Sequence, residues 1–201
     1  MYIRITKRVL DLLLSALALA ILALPMAAIA LWIKLDSPGP VLFQQKRVGK
    51  DKKYFNILKF RTMYTDAPAD VPTHQLGDAE KRITRSGRFL RRSSLDELPQ
   101  LFNILAGQMS IVGPRPALWN QDDLLAERDK YGANRLTPGL TGLAQIKGRD
   151  ELPISTKAFY DGEYGKKVSF LTDLRIILVT CFSVLRADGV VEGVQEPKEE
   201  Q

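Results

Sequence analysis

Residues 12–33 read LLLSALALAILALPMAAIALWI, a run of 22 residues without a charged side chain. At a rise of about 1.5 Å per residue, a helix of this length reaches roughly 33 Å, which matches a hydrocarbon core of about 30 Å. The run therefore predicts a helix of membrane length near the N-terminus, and it argues against a purely soluble protein.

Pro25 lies inside this run and has no N–H with which to continue the helical hydrogen bonding. We expect a kink there, which divides the run into residues 12–24 and 26–33, each too short to cross a bilayer alone. Positive charge marks both flanks, because Arg4, Lys7 and Arg8 precede the run and Lys34, Lys46, Arg47, Lys50, Lys52 and Lys53 follow it. Cytoplasmic flanks carry such an excess of cations, so the sequence favours a re-entrant, monotopic helix over a simple span.

A cleavable signal peptide is an alternative interpretation, since such leaders also combine a basic start, an apolar run and a small-residue triplet like Ala28-Ile29-Ala30. Asp11 at the edge of the run argues against it, as do apolar residues that continue to Ile33. The single cysteine, Cys181, cannot form an intramolecular disulfide. Nothing in the chain therefore indicates a secreted disulfide scaffold.

The 201 residues are 45% hydrophobic and 26% charged, which is typical of one folded domain. The formal net charge of +6 arises in residues 1–65, with 11 Lys and Arg against 3 Asp and Glu. We predict three parts: a re-entrant membrane anchor over residues 1–36, a folded domain over residues 37–188, and a polar tail over residues 189–201.

Two further stretches predict secondary structure. Residues 41–43 and 54–60 flank a Gly49-Lys50-Asp51 turn, which is typical of a β-hairpin. Residues 170–185 (FLTDLRIILVTCFSVL) place apolar residues at steps of three or four, which predicts a helix with one apolar face. That face fits either an ordinary core helix or an interfacial amphipathic helix.

Residues 81–92 carry six basic residues and no acidic one: Lys81, Arg82, Arg85, Arg88, Arg91 and Arg92. Lipid headgroups and the phosphates of a nucleotide both fit such an anion-facing surface. Nucleic acid is disfavoured as a partner, because no recognised binding motif accompanies the cluster. His74, the only histidine, lies in a loop predicted over residues 64–80 and is left out of the candidate site.

Two adjacent carboxylates, Asp96 and Glu97, stand in residues 94–101 (SLDELPQL). Ser94 and Glu97 match the S-x-x-E capping box, which predicts that a helix begins at Ser94. Capping leaves Asp96 without a role. A helix N-terminus and nearby arginines would favour its ionised form, which suits a nucleophile or a metal ligand.

Arg115 is framed by prolines in Gly113-Pro114-Arg115-Pro116, which limits the backbone on both sides. A fixed guanidinium suits a bidentate phosphate contact, and a rigid loop with a solvated arginine is the alternative. Residues 137–149 hold three glycines and a Pro-Gly turn. They lack the nucleotide-binding glycine patterns, so a tight hairpin is the simpler interpretation.

In order along the chain, these stretches resemble the monotopic phosphoglycosyl transferases, a family of bacterial sugar transferases. The resemblance covers nearly the whole chain and is specific because seven motifs occur in order. They are residues 7–11 (KRVLD) before the proline-broken run, Gly39-Pro40, residues 59–63 (KFRTM), residues 94–101 (SLDELPQL), residues 109–116 (MSIVGPRP), residues 138–142 (PGLTG) and Gly148-Arg149.

The resemblance implies transfer of a phosphosugar from a UDP-sugar to a polyprenyl (undecaprenyl) phosphate, with release of UMP, at the cytoplasmic face of the bacterial inner membrane. This is the first membrane step of glycoconjugate assembly. The resemblance also implies a helix-rich α/β (α+β) fold, in which residues 37–188 form a compact cytosolic catalytic domain. It implies Mg²⁺ as cofactor, Asp96 as nucleophile and metal ligand, and Glu97 as an assisting base or orienting group. The substrate-binding residues that it implies are Lys59, Arg61, Arg91, Arg115, Gln145 and Arg149.

Two positions depart from the family pattern. Relatives often have Ser-Pro at the kink where this chain has Leu24-Pro25, and they commonly have Asn where this chain has Asp150. The identity of the sugar is therefore not implied. A non-catalytic monotopic lipid-binding protein, in which Asp96 and Glu97 only cap a helix, stays open as the alternative function.

Overall fold

A computed structural model describes residues 2–68, 79–148 and 152–185. The polar tail, His74, Arg149 and Asp150 lie outside the described residues, as does most of the loop predicted over residues 64–80. The described residues form a mixed, helix-rich α/β fold. Its elements are α1 (Lys7–Asp36), β1 (Leu42–Val48), β2 (Tyr54–Phe60), α2 (Ala79–Arg82), α3 (Arg85–Arg92), α4 (Gln100–Leu105), β3 (Ser110–Val112), β4 (Ala117–Leu118), α5 (Asp122–Lys130), β5 (Gly139–Thr141), α6 (Leu143–Gly148), α7 (Ile154–Lys166) and α8 (Phe170–Leu185).

The apolar run near the N-terminus forms α1, a single helix of 30 residues that includes Pro25. The chain therefore does not form two separate helices on either side of Pro25, because the loss of one hydrogen bond leaves the Leu- and Ala-rich turns around it helical. Within the described residues, α1 is the helix long and apolar enough to cross a membrane by length and composition. The bend at Pro25 stays a prediction.

One face of α1 packs against the rest of the protein along most of the helix. Leu19 and Leu22 contact a core cluster formed by Ile57, Leu101, Ile104 and Met109. Toward the end of the helix, Ile33 is itself buried in a second cluster with Phe60 and Leu90. The opposite face exposes large apolar side chains, which are Leu13, Leu14, Leu17, Ile21, Leu24, Leu31 and Leu35.

Polar contacts connect both ends of α1 to the same folded domain. Near the beginning, Arg8 donates hydrogen bonds to the carbonyls of Ile104 (2.6 Å) and Leu105 (3.0 Å), the last residues of α4. Near the end, the Asp36 carboxylate accepts hydrogen bonds from the backbone N–H (2.9 Å) and the hydroxyl (2.8 Å) of Ser86. Both ends of this apolar helix therefore lie against one domain.

The predicted hairpin is confirmed as an antiparallel pair of β1 and β2, with Leu42 opposite Phe60 and Val48 opposite Tyr54. Strand β4 pairs with the other edge of β1, which gives a three-stranded sheet in the order β2-β1-β4. The pairing matters for the site because β2 carries Lys59 one residue from its end, and β4 follows Arg115 after a single proline.

The hairpin expected in residues 137–149 is wrong, because residues 139–141 form β5 and pair in parallel with β3. Glycines permit this close backbone contact. A Cβ added to Gly139 would lie 2.0 Å from the backbone nitrogen of Gly113, and one added to Gly142 would lie 2.1 Å from the Gly113 carbonyl oxygen. These glycines therefore serve strand pairing at the base of the Arg115 loop.

The helix predicted over residues 170–185 is confirmed as α8. In its first turn, the Asp173 carboxylate accepts hydrogen bonds from Lys7 (2.6 Å) and from the hydroxyls of Tyr2 and Tyr164 (2.8 Å each), which connects α8 to the beginning of α1. The outer face exposes Phe170, Leu171, Leu174, Leu178, Val179 and Phe182. An interfacial role for this face stays a prediction.

A buried ion pair joins α5 to α7. Arg128 and Asp161 are 2.7 Å apart, and their side chains are 7% and 2% exposed. Arg128 also donates a hydrogen bond to the backbone carbonyl of Arg115 at 2.9 Å. The pair therefore holds the backbone of the loop between β3 and β4 at Arg115.

We expect Asp161→Asn to lower the free energy of unfolding by about 3 to 5 kcal/mol, because it leaves a buried guanidinium without its countercharge. Chemical denaturation of the detergent-solubilised protein, followed by circular dichroism, measures the change. The control is Asp129→Asn, which removes a carboxylate 2.6 Å from Lys52 in a pair about half exposed. It should cost less than about 1 kcal/mol. Equal losses in the two variants would contradict the structural role given to the buried pair.

Candidate functional site

Asp96 and Glu97 lie in a single 3₁₀ turn, Leu95–Glu97, that precedes α4. The predicted capping box is wrong. Ser94 makes no capping hydrogen bond and adopts a left-handed backbone conformation with φ 57°, and α4 begins only at Gln100. Such a conformation costs a non-glycine residue on the order of 1 kcal/mol or more, so surrounding contacts must hold it. The side chain of Glu97 does not cap a helix, because it binds Lys59 and Arg115 instead.

One oxygen of Glu97, Oε1, accepts hydrogen bonds from two cations. Lys59 Nζ on β2 lies 2.6 Å away, and both terminal nitrogens of Arg115 lie 3.3 Å away. Burial raises the pKa of the Glu97 carboxyl, but Lys59 and Arg115 outweigh burial and lower the pKa to about 2. Glu97 is therefore a fixed anion that holds Lys59 and Arg115 in place.

Asp96 is buried beside this cluster, 9% exposed, with Oδ2 3.8 Å from Lys59 Nζ. Burial raises its pKa, and although Lys59 opposes burial, the neighbouring charge of Glu97 raises the pKa further. Arg91 and Arg115 do lower the pKa of Asp96, as expected of nearby arginines, but burial and Glu97 outweigh them. The expected helix N-terminus is not beside Asp96, because α4 begins four residues later. Two adjacent acids with pKa values moved in opposite directions are typical of a catalytic site.

The backbone around Arg115 is held at two successive carbonyls. Arg128 donates to the carbonyl of Arg115 at 2.9 Å, and Arg47 donates to the carbonyl of Pro116 at 3.0 Å. The Arg115 side chain itself is 39% exposed. This arginine therefore has a fixed base and a side chain that reaches solvent, as a phosphate-binding residue requires.

Asn103 on α4 is a second support of the site. Its side-chain amide donates to the carbonyl of Asn56 (2.8 Å), and its oxygen accepts from the N–H of Leu58 (2.9 Å). These bonds hold α4 against β2 next to Lys59. No local pattern in the sequence identifies the supporting roles of Asn103, Arg47, Arg128 and Asp161, because their partners lie far away along the chain.

The other predicted site residues lie in different places. Arg91 donates to the hydroxyl of Thr62 (2.9 Å), and its charge acts on Asp96. Arg61 is 4% exposed and donates to the carbonyls of Ser37 and Pro38 (2.7 Å each), so it holds the turn after α1 and is not part of the Asp96 cluster.

Gln145 lies on α6, where its side chain donates to the carbonyl of Leu140 at 3.1 Å. No described contact joins Gln145 to either acid, and Arg149 lies outside the described residues. The structure therefore brings Lys59, Arg91 and Arg115 to the two acids, but not Arg61 or Gln145.

A metal site must be assessed from the donors that are present. The described residues contain no group of three or more His, Cys, Asp or Glu side chains that could hold a metal ion. Mg²⁺ commonly uses only one or two carboxylates and completes its coordination with water and substrate phosphates. Glu97 already binds Lys59 and Arg115, whereas Asp96 accepts no hydrogen bond from a described residue, so the carboxylate of Asp96 is the donor that fits such an ion.

Comparisons with known proteins identify relatives of this chain. The chain is 46% identical over 184 residues to the undecaprenyl-phosphate glucose phosphotransferase of Komagataeibacter xylinus, a match that covers 87% of this chain and 35% of the relative. It is 46% identical over 193 residues to the UDP-glucose:undecaprenyl-phosphate glucose-1-phosphate transferase of Caulobacter vibrioides, covering 91% of this chain and 71% of the relative.

A more distant relative is the undecaprenyl-phosphate galactose phosphotransferase of Salmonella typhimurium, which is 36% identical over 201 residues, covering 92% of this chain and 42% of the relative. The chain thus spans about a third of the length of the first of these relatives and less than half of the last. A sequence model of the family described as bacterial sugar transferase matches residues 2–187. Because this match covers nearly the whole chain, including Asp96 and Glu97, the protein belongs to the bacterial sugar transferases.

Proposed function

We propose that this protein is an enzyme that transfers a sugar 1-phosphate from a UDP-sugar to undecaprenyl phosphate and releases UMP. The relatives described above are named for transferases that act on undecaprenyl phosphate. The observation that carries the proposal is the buried carboxyl of Asp96 beside Glu97, an acid already bound by Lys59 and Arg115. The alternative, a non-catalytic lipid-binding protein, gave these acids only a capping role, and neither acid forms the predicted capping box.

The proposed reaction has two displacements at one phosphorus atom. First, an oxygen of the Asp96 carboxylate attacks the β-phosphorus of the donor, the bond from phosphorus to the bridging oxygen breaks, and UMP leaves with that electron pair. Then an oxygen of undecaprenyl phosphate attacks the same phosphorus, and the bond to Asp96 breaks to restore the carboxylate. Two bulky substrates therefore use one carboxylate in turn, which suits a small domain.

A carboxylate that approaches a diphosphate needs positive charge nearby, because both groups are anionic. Lys59 lies 3.8 Å from Asp96, and Arg115 can exchange part of its contact with Glu97 for a donor phosphate because its side chain reaches solvent. Mg²⁺, held by Asp96 together with donor phosphates, would neutralise phosphate charge when bound. In this arrangement Glu97 orients the two cations rather than accepting a proton.

We also propose that α1 is a monotopic anchor and that the domain lies on the cytoplasmic face of the inner membrane. Arg8 at one end of α1 and Asp36 at the other bind the same domain. A helix that crossed the bilayer would separate these two polar contacts by about 30 Å of hydrocarbon. A shallow anchor instead places Asp96 where the phosphate of a membrane-bound lipid can meet a water-soluble donor.

The first test of this function is Asp96→Asn, incubated with Mg²⁺ and either UDP-glucose or UDP-galactose but no lipid acceptor. We expect the unaltered protein to release about one equivalent of UMP and to gain a hexose phosphate on Asp96, detected by mass spectrometry. The variant should do neither, and chelation of Mg²⁺ should prevent both. Asp129→Asn serves as the control and should still release about one equivalent of UMP. If Asp96→Asn released the same equivalent of UMP at a near-normal rate, Asp96 would not be the nucleophile.

For Arg115→Ala we expect a loss of about 2 to 4 kcal/mol of transition-state stabilisation, roughly a 30- to 1,000-fold fall in kcat/KM for UMP release. The thermal unfolding temperature should change little, since Arg128 and Arg47 bind backbone carbonyls that the substitution keeps. Arg135→Ala, which removes another exposed arginine, is the matched control. Full activity of the Arg115 variant would remove this residue from the phosphate site.

Topology can be tested by labelling single cysteines in a Cys181→Ser background. Ile5→Cys and Lys53→Cys place exposed thiols before and after the apolar run. With a membrane-impermeant maleimide, we expect both thiols to be protected in intact spheroplasts and both to react after the membrane is opened. Labelling of only one of the two in intact spheroplasts would show that α1 spans the membrane.

A further inference from the structure

Helix α3 carries arginines on two different sides. Arg85, Arg88 and Arg92, here called the outer arginine stripe, follow each other at steps of three and four residues and are exposed. Arg91 lies beside the stripe and turns inward, where it donates to Thr62. The stripe therefore points away from the Asp96 site, and the proposed reaction does not use it.

The outer arginine stripe borders the exposed apolar surface of the anchor. Phe89, next to the stripe on α3, is 53% exposed, and its ring centre lies 5.6 Å from that of Trp32 on α1. Leu31 and Leu35, at the same end of α1, are 61% and 77% exposed. Cations beside aromatic and aliphatic side chains are typical of protein surfaces at the boundary between headgroups and hydrocarbon.

The charge of the stripe is largely uncompensated among the described residues. No acid occurs in residues 81–92, and Arg88 and Arg92 form no ion pair with a described residue. Arg85 does interact electrostatically with Asp36. At about 1.5 Å per residue, the stripe extends over roughly 10 Å, so its guanidinium groups can reach more than one headgroup phosphate.

We propose that the outer arginine stripe binds anionic phospholipid headgroups, so that the lipids beside the end of α1 are enriched in anionic species. The proposal depends on the monotopic topology proposed above, but not on the catalytic reaction. An exposed stripe next to an apolar surface fits an anionic membrane, whereas a soluble nucleotide would bind the cations beside Asp96, such as Arg91. The phosphate of undecaprenyl phosphate is the competing ligand, and the experiment has to distinguish it from phospholipid.

The test uses Trp32 as a local probe in a Trp119→Phe background, which leaves one tryptophan. The protein is placed in nanodiscs of phosphatidylcholine and phosphatidylglycerol. In one preparation the phosphatidylcholine has brominated acyl chains, which quench tryptophan fluorescence, and in the other the phosphatidylglycerol has them. We expect quenching to show phosphatidylglycerol enriched about two- to fivefold near Trp32 relative to the bulk. Raising the salt concentration should reduce the enrichment, because exposed charges are screened.

The triple variant Arg85→Gln, Arg88→Gln, Arg92→Gln should bring the enrichment close to one, and Arg88→Gln alone should lower it in part if the triple variant does not fold. The matched control is Lys50→Gln, Lys53→Gln, Arg135→Gln, which removes three exposed charges around the tip of the β1–β2 hairpin and should keep the enrichment. Unchanged enrichment in the stripe variants, or an equal loss in the control, would overturn the proposal.

A second arm separates phospholipid from acceptor. In nanodiscs of phosphatidylcholine alone, the stripe variant should keep the KM for undecaprenyl phosphate within about twofold of the unaltered protein. A several-fold rise in that KM with unchanged phosphatidylglycerol enrichment would assign the arginines to the acceptor instead. Because quenching is measured without catalysis, loss of enrichment and failure of the proposed reaction are observed independently.

Discussion

The site depends on one carboxylate oxygen, Oε1 of Glu97, which binds Lys59 and Arg115 together. Lys59 comes from β2, Arg115 from the loop between β3 and β4, and Glu97 from the turn before α4, so a single anion joins three separate segments. Removing the anion would leave two cations to repel each other in a partly buried place. The same contact places positive charge beside Asp96, where an incoming phosphate needs it.

The anchor helix is part of this site rather than a tether attached to it. Asp11 accepts a hydrogen bond from the N–H of Ile111 at 3.0 Å, on the strand that leads to Arg115. Arg8 binds the final carbonyls of α4, the helix that follows Asp96, where a cation is also favoured by the helix dipole. The segments that carry Asp96 and Arg115 are therefore both connected to α1, so in the proposed monotopic topology the orientation of α1 also orients the site.

Local patterns in the sequence predicted the long apolar helix, the hairpin and α8, since each is determined by the period and polarity of its own residues. The same kind of pattern failed at Ser94 and Glu97, where the S-x-x-E spacing was present but long-range cations bound the acid. The position of Arg61 could not be predicted for a related reason. Its neighbours in the KFRTM motif do not reveal that the carbonyls of Ser37 and Pro38 fold back onto it.

The positions of the two kinds of arginine on α3 suit the proposed reaction. In that reaction the lipid acceptor cannot leave the bilayer and the sugar-nucleotide donor cannot enter it, so Asp96 has to lie within reach of the headgroup region. A helix whose inner side reaches Asp96 through Arg91 and whose outer side carries the arginine stripe connects these two environments over a single helix diameter, about 10 Å. The proposed lipid contact and part of the positive charge that acts on Asp96 are then carried by the same eight-residue helix.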